Sequence, residues 1–485
     1  MMRMTAFQRN DVNVLRHWLR ALLLAVLAFM TLALPARAVQ VREVRTPGGI
    51  TVWFVEDHTV PIVAMNYAFY GGAAHDPEGK LGLANFLSAM LDEGAGDLKS
   101  AEFQERMEEL AMSMSHSAGK EWFAGSFRTL KKNAAESFRL LALAVNKPRF
   151  DQQPLERIRR QLIAAVRSRA QDPDTLAWRA FRKMLFGDHP YARDAEGTEE
   201  GIRAVTRDDL RGLHRRLFAR QYLLVTVAGA ISEKEMTRHV DEVFASLPEK
   251  SGMAQIPAPD MPTKARQQVI TRPMPQTIVL MGHEGLLRSD PDFLPAYVVN
   301  HILGGGGFGS RLTEVVREKN GLAYSVYSAL FSYRNKGVFF AQAGTRNEQA
   351  IRALDLMKRE ITRMKREGVT ARELEEAKNY LVGSWPLRFD STTKIASILL
   401  GFRQQGLGVD YIAMRNDLMR AITLEQANRA ARRLLKPERL QVLLYGNPTL
   451  AAAAKPAATK GKGASRAGAT PATNPARVKE GAAGR

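Results

Sequence analysis

Arg317 and Tyr324 stand seven residues apart in the run Val316-Arg317-Glu318-Lys319-Asn320-Gly321-Leu322-Ala323-Tyr324-Ser325-Val326-Tyr327. An arginine can donate to a peptide carbonyl, and a phenol can donate to a developing oxyanion. Simple packing of a helix-ending arginine and a strand tyrosine is the competing explanation. Just upstream, Leu303-Gly304-Gly305-Gly306-Gly307-Phe308-Gly309-Ser310-Arg311-Leu312 is rich in glycine but lacks the Gly-Lys-Ser/Thr of a nucleotide-binding P-loop. Read alone, it is a flexible helix-to-helix connector. Metal chemistry has little to work with. The chain has no cysteine, which excludes disulfides and thiolate ligands. Beyond His17, the histidines at 58, 75, 116, 189, 214, 239, 283 and 301 are never closer than 17 residues. None has the i, i+4 spacing that puts two imidazoles on one helix face. His75-x-x-Glu78 and His239-x-x-Glu242 come nearest and read as surface groups.

The run Gly82-Leu83-Ala84-Asn85-Phe86-Leu87-Ser88-Ala89-Met90-Leu91 resembles a helix of the insulinase/pitrilysin metallopeptidases. In that family it reads G-L-A-H-F-L-E-H-M, and its H-x-x-E-H core holds zinc through two histidines while the glutamate activates water. Here the first histidine position is Asn85, the glutamate position is Ser88 and the second histidine position is Ala89. An alanine has no ligand atom, and a serine hydroxyl is too weak a base at neutral pH to replace glutamate. The family's third ligand, a glutamate on a later helix, falls on Ala165; Ile158 stands where many relatives carry a supporting acid. The resemblance therefore implies a chain with no catalytic residues and no metal of its own.

The same resemblance gives the arginine–tyrosine pair a role. In family members that pair an active with an inactive subunit, such a pair reaches into the partner's zinc site, binds substrate backbone and steadies the tetrahedral intermediate. Arg317 and Tyr324 are expected to do this here. Gly305, Gly306 and Gly307 are expected to line the substrate chamber, as a comparable loop does in relatives. The implied function is a non-catalytic, substrate-binding subunit of a heteromeric metallopeptidase, whose H-x-x-E-H-containing partner carries zinc. A stand-alone peptide-binding or chaperone-like module, a weakly active peptidase with unusual ligands, and a structural role in an envelope complex are the rivals.

These residues need elements to position them. Two strands flank the turn Pro47-Gly48-Gly49, a strand covers 60–70, an apolar helix covers 81–91, and helices follow near 101–111, 132–145 and 155–170. Residues 112–130 sit where relatives have the edge strand that lines an extended substrate. Strands and helices mix without βαβ alternation, which predicts an α+β fold. Gly252, Pro257, Pro259 and Pro262 mark a linker at 250–266, narrowed to 256–266, after which a strand is expected at 276–281. Residues 206–229 align without a gap on 423–446, sharing Thr, Arg-Arg-Leu and a terminal Gly. That predicts two homologous domains, 39–255 and 267–448, each a mixed, largely antiparallel sheet covered by helices, as the family resemblance also implies.

The ends read differently. Four arginines precede the 14-residue apolar stretch 21–34, and Ala36-Arg37-Ala38 offers a cleavage site, so residues 1–38 are expected to be a secretory signal and the chain periplasmic. An uncleaved membrane anchor is the alternative. Residues 449–485 are rich in Ala, Lys, Gly, Pro and Thr and are expected to be disordered, with weak affinity for anionic envelope polymers as a further option. Of the net charge of +20, the first 38 residues carry +4 and the last 36 carry +6, leaving +10 over the body. No nucleic-acid-binding motif accompanies that modest excess.

Overall fold

The computed structural model describes residues 40–449; the expected export signal and the basic tail beyond 449 lie outside them. The first half opens with β1 (Arg42–Arg45) and β2 (Thr51–Glu56) around a turn at Gly49, whose φ of 83° a side chain would resist. Next come β3 (Ile62–Tyr70), α1 (Leu83–Ser88), α2 (Ser100–Glu109), β4 (Ser113–Ala118) and β5 (Trp122–Leu130). Four helices follow: α3 (Ala134–Asn146), α4 (Gln152–Arg169), α5 (Pro173–Phe186) and α6 (Glu199–Ala204). The half closes with α7 (Arg207–Leu217), β6 (Leu224–Gly229) and α8 (Glu233–Phe244). The second half contains β7 (Arg266–Thr271), β8 (Gln276–Glu284), α9 (Phe293–Asn300), β9 (Ala323–Ser332) and β10 (Gly337–Arg346). It ends with α10 (Ala350–Glu367), α11 (Ala371–Gly383), α12 (Thr392–Gln404), α13 (Tyr411–Arg420), α14 (Leu424–Leu434) and β11 (Gln441–Gly446).

The six-stranded sheet β1-β2-β6-β3-β5-β4 and the five-stranded sheet β7-β11-β8-β10-β9 have matching orders apart from β1, which has no counterpart in the second. In each, the last strand of the half enters the middle, parallel to one neighbour and antiparallel to the other. All remaining pairings are antiparallel. The aligned segments 206–229 and 423–446 fold alike. Thr206 and Thr423 cap α7 and α14 through reciprocal bonds to Asp209 and Gln426, and the helix and strand boundaries correspond residue for residue. The α+β expectation holds. β7 went unrecognised because Arg266-Gln267-Gln268 supplies no apolar alternation; its parallel neighbour β11 recruits it.

Each half has its own core. In the first, Phe54, Met65, Tyr67, Phe69, Phe86 and Phe123 lie under α1, α3 and α8. The second centres on Met281, Phe339, Met357 and Leu444. Two further cores are formed by exchange. Helix α5 of the first half crosses to the back of the second sheet, where Ala177, Phe181 and Leu185 pack on Ile278, Leu280, Val338 and Leu443. Helix α12 of the second half crosses the other way, burying Ile395, Ala396 and Leu399 on Trp53, Val55, Ala64 and Ala228. The two halves therefore interlock. The segment between them is also tied down: the Ile256 amide donates to the Tyr70 hydroxyl (3.1 Å), and Asn335 Nδ2 donates to the Ile256 carbonyl (2.8 Å).

Candidate functional site

The helix that would hold zinc in an active relative is shorter here than its apolar pattern suggests. It spans Leu83–Ser88 rather than 81–91, because Gly82 enters it at φ 101° and the chain leaves it at Ala89. Asp76 fixes its start, accepting from the amides of Gly82 (2.7 Å) and Ala84 (3.0 Å). Burial pushes the Asp76 carboxyl up to about 7, against the pull of those amides. Leu83, Ala84, Phe86 and Leu87 face the core, and α4 packs against the helix with the Arg159 guanidinium 5.2 Å from the Phe86 ring.

The four degenerate positions offer no metal site. Ser88 is buried, and its hydroxyl donates to the Asn85 carbonyl at 2.7 Å, so it is committed to its own helix. Asn85 and Ala89 are half-buried, Ala165 is exposed on α4, and Ile158 is buried in the first core. Among the described residues no three His, Cys, Asp or Glu side chains gather as a metal site would require. Zinc does not fit the donor set at this helix. Two histidines read as surface groups are held instead. His239 is buried and stacked on Phe138 with ring centres 4.8 Å apart. His75 is half-buried, its Nδ1 accepting from the Gly72 amide (3.2 Å) and its Nε2 bonded to the Ala254 carbonyl (2.9 Å).

Beside this helix runs β4, the outer strand of its sheet. Ser113, Ser115 and Ser117 are exposed, while His116 turns inward to meet the Tyr67 hydroxyl at 2.6 Å. The edge strand expected at 112–130 is thus a hairpin of β4 and β5 with β4 outermost.

The second half keeps exposed functional groups. Val316 and Leu322 anchor a turn through the Leu322 amide to the Val316 carbonyl (2.9 Å), with Gly321 at φ 61°. The turn delivers Tyr324 to the start of β9, itself the outer strand of its sheet. Tyr324 is 83% exposed and Phe308 is 69% exposed. The Arg317 guanidinium carbon lies between them, 4.8 Å from the Phe308 ring centre and 5.9 Å from that of Tyr324. Phe308 has no evident task in the sequence alone. A large aromatic inside a glycine run is an unusual choice for a mere connector, and that was the available signal.

The glycine run is not a flexible connector. His301–Gly305 and Thr313–Glu318 are π-helical, with a tight turn at Gly307–Gly309. A Cβ on Gly304 would fall 2.5 Å from Ser328 Oγ; on Gly305, 2.8 Å from Asn300 Nδ2; on Gly306, 2.8 Å from the His301 carbonyl. Gly307 has φ 64° with open space around it. Close backbone approach, more than freedom, accounts for the first three. The His301 ring then stacks on exposed Tyr380, ring centres 5.2 Å apart, a contact the sequence did not disclose.

Residues 51–199 match the family model described as Insulinase (Peptidase family M16), and residues 204–381 match the one described as Peptidase M16 inactive domain. A Helicobacter pylori protein named Non-peptidase homolog YmxG is 27% identical over 413 residues, covering 84% of this chain and 94% of that one. The Bacillus subtilis protein named Uncharacterized zinc protease YmxG is 26% identical, covering 80% and 93%. Among solved structures, a peptidase M16 inactive domain from Pseudomonas fluorescens superposes with a TM-score of 0.79 at 30% identity, covering 85% of this chain and 99% of that one. A protease from Helicobacter pylori has the same fold at 18% identity and a TM-score of 0.75, covering 84% and 99%.

Proposed function

We propose that this chain, which belongs to the insulinase (peptidase M16) family, is the non-catalytic, substrate-binding subunit of a heteromeric zinc metallopeptidase. The observation that carries the reading is the exposed Phe308–Arg317–Tyr324 cluster in a chain whose ligand positions are Asn85, Ser88, Ala89 and Ala165. A chain with no ligands of its own has use for such donors only toward a reaction centre or peptide supplied from outside. Arg317 would donate to the substrate's carbonyl groups and Tyr324 to the oxyanion that forms at the partner's site. The exposed edge strand β9 and the turn at Gly305, Gly306 and Gly307 would guide an extended peptide toward them. The name of the Helicobacter pylori relative, Non-peptidase homolog YmxG, supports loss of catalysis.

The partner is a homologous chain with H-x-x-E-H, and it holds the zinc. We place the pair in the periplasm, on the strength of the export signal read at residues 1–38. The two matching sheets are read as copies of one ancestral unit. A second reading, a stand-alone peptide-binding module, draws on the outer strands β4 and β9, which could each accept a strand without any partner.

The test is peptidase activity on an unstructured peptide, using this chain alone, an H-x-x-E-H chain alone and both co-expressed. The subunit reading expects activity from the pair well above either chain alone, and a fall with Arg317→Ala or Tyr324→Phe. Peptide binding by this chain, with no activation of any H-x-x-E-H homologue from the same genome, would favour the stand-alone module.

A further inference from the structure

A cavity of about 510 Å³ opens between the two halves, lined by three arginines and one glutamate. Arg288, Arg334 and Arg403, all from the second half, line it. Among the described residues none of the three guanidinium groups is ion-paired, and their side-chain hydrogen-bond partners are neutral. Arg288 Nε donates to Gln405 Oε1 (3.0 Å) and its Nη2 to the Tyr411 hydroxyl (2.9 Å). Arg403 donates to the carbonyls of Thr51 (2.8 Å) and Val225 (2.6 Å). The Arg334 guanidinium lies against the rings of Tyr70 (4.8 Å) and Tyr222 (5.2 Å). Burial pulls the Arg403 pKa down to about 10, with the Glu43 carboxylate opposing it only in part.

One carboxylate, Glu121, shares the lining and offsets one of the three positive charges, its two oxygens hydrogen-bonded elsewhere. One accepts from the Tyr191 hydroxyl and the other from the Arg334 backbone amide (2.8 Å). The three guanidinium groups outnumber that carboxylate; Arg334 is exposed and Arg288 half-buried, so both can meet an oxyanion entering the cavity through charge-assisted hydrogen bonds. The rest of the wall includes Trp122, Leu224, Leu287 and Tyr333. An inorganic anion would leave that apolar surface uncovered, whereas an organic body would fill it.

We propose that this cavity binds a small organic carboxylate with an aromatic or aliphatic body, about the size of a dipeptide. Arg334 and Arg288 hold the carboxylate, and Trp122 and Leu287 cover the body. The same chemistry is presented by a free small acid and by the C-terminal end of a longer peptide. The inference concerns this chain alone and does not depend on a partner.

Calorimetric titration of the full chain with N-acetyl-Phe-Ala, with its C-terminal amide and with inorganic phosphate tests it. The acid is expected to bind saturably at one site, with the amide weaker by roughly tenfold or more, the loss of one charged hydrogen-bonding group. Arg334→Gln should weaken the acid to a similar extent. Its guanidinium holds no backbone group, so the fold is not at risk, and Arg288→Gln, whose bonds also go to side chains only, serves as a second variant. Arg372→Gln, on the exposed face of α11, should change nothing. A hexapeptide ending in Phe-Ala that binds as tightly as the dipeptide supports a peptide terminus as the natural ligand; weaker binding supports a free small acid. Equal binding of acid and amide, phosphate binding as tight as the acid, or no saturable binding of the acid overturns the proposal.

Discussion

Arg317 holds its guanidinium carbon 5.9 Å from the centre of the Tyr324 ring, across the turn that carries the chain from a π-helix into β9. Phe308 closes on the same guanidinium from the glycine-rich segment, at 4.8 Å. A cation between aromatic faces is held in one place without a carboxylate to neutralise it. The arginine and the phenol are thereby presented together, both able to donate outward. Phe308 and Tyr324 are largely exposed, so the cluster is not committed to core packing.

If the cluster acts on substrate, Arg317→Ala and Tyr324→Phe should each lower kcat/KM of the reconstituted pair by roughly tenfold to several-hundredfold. Thermal stability of the chain alone should move little, by within about 0.5 kcal/mol, as for other exposed substitutions. Phe308→Ala should give an intermediate loss by freeing the arginine. Equal activity in all three variants would count against the assigned role.

The purified chain should hold no stoichiometric zinc, and its melting temperature should not respond to a chelator. A ligand that binds only the folded state raises stability in proportion to its binding. With Ser88 bonded to the Asn85 carbonyl and alanine at 89 and 165 there is no comparable gain to remove. A chelator-induced drop in melting temperature would contradict the reading of those positions.

Phe181→Ala should destabilise the chain by about 3–5 kcal/mol, the usual cost of emptying a packed aromatic site. Phe181 belongs to the first half by sequence but fills the back of the second sheet. Denaturation followed by fluorescence and by circular dichroism should remain one transition, because the exchanged helices couple the halves. Two separated transitions in the wild type would show that the exchange does not couple them.

Stability should fall on acidification through His283. Its Nδ1 donates to the Glu284 carbonyl (2.9 Å), its Nε2 accepts from the Lys436 amide (3.1 Å), and burial pulls its pKa down to about 4. The folded chain keeps the ring neutral while the unfolded chain protonates it near pH 6.5. The contribution is complete above that pH and is lost as pH falls toward 4, at up to ~1.4 kcal/mol per pH unit. Urea midpoints of wild type and His283→Gln across pH 4–7 isolate this contribution as a difference between their slopes.

Gly304→Ala and Gly309→Ala separate close approach from flexibility. A Cβ on Gly304 would sit 2.6 Å from the Ser328 amide nitrogen, whereas one on Gly309 meets nothing within 4 Å. The first should cost about 1–3 kcal/mol, as overpacking does. The second should be near neutral. Equal effects would mean that the run behaves as the loose connector its composition suggested.

The sequence by itself determined the family, the α+β class and the loss of ligand atoms at the family's zinc positions. Those conclusions depend on residue types at fixed spacing: a side chain without a donor atom cannot coordinate in any fold, so Ala89 and Ala165 were decisive before any coordinates. The matching helix-turn-strand segments were equally legible, since their caps Thr206 and Thr423 and the apolar positions behind them are local features. Tertiary structure alone decided where α5 and α12 go. An amphipathic helix carries an apolar face but no address, and Phe181 or Leu399 would fit either sheet by pattern. The glycine run followed the same logic. Its composition speaks of freedom, but the need for Gly304 comes from Ser328 on β9, 24 residues away in the chain. The three unpaired arginines of the central cavity were invisible for that reason too. The lack of a carboxylate partner is a property of their surroundings, and those are assembled from both halves only when the chain folds.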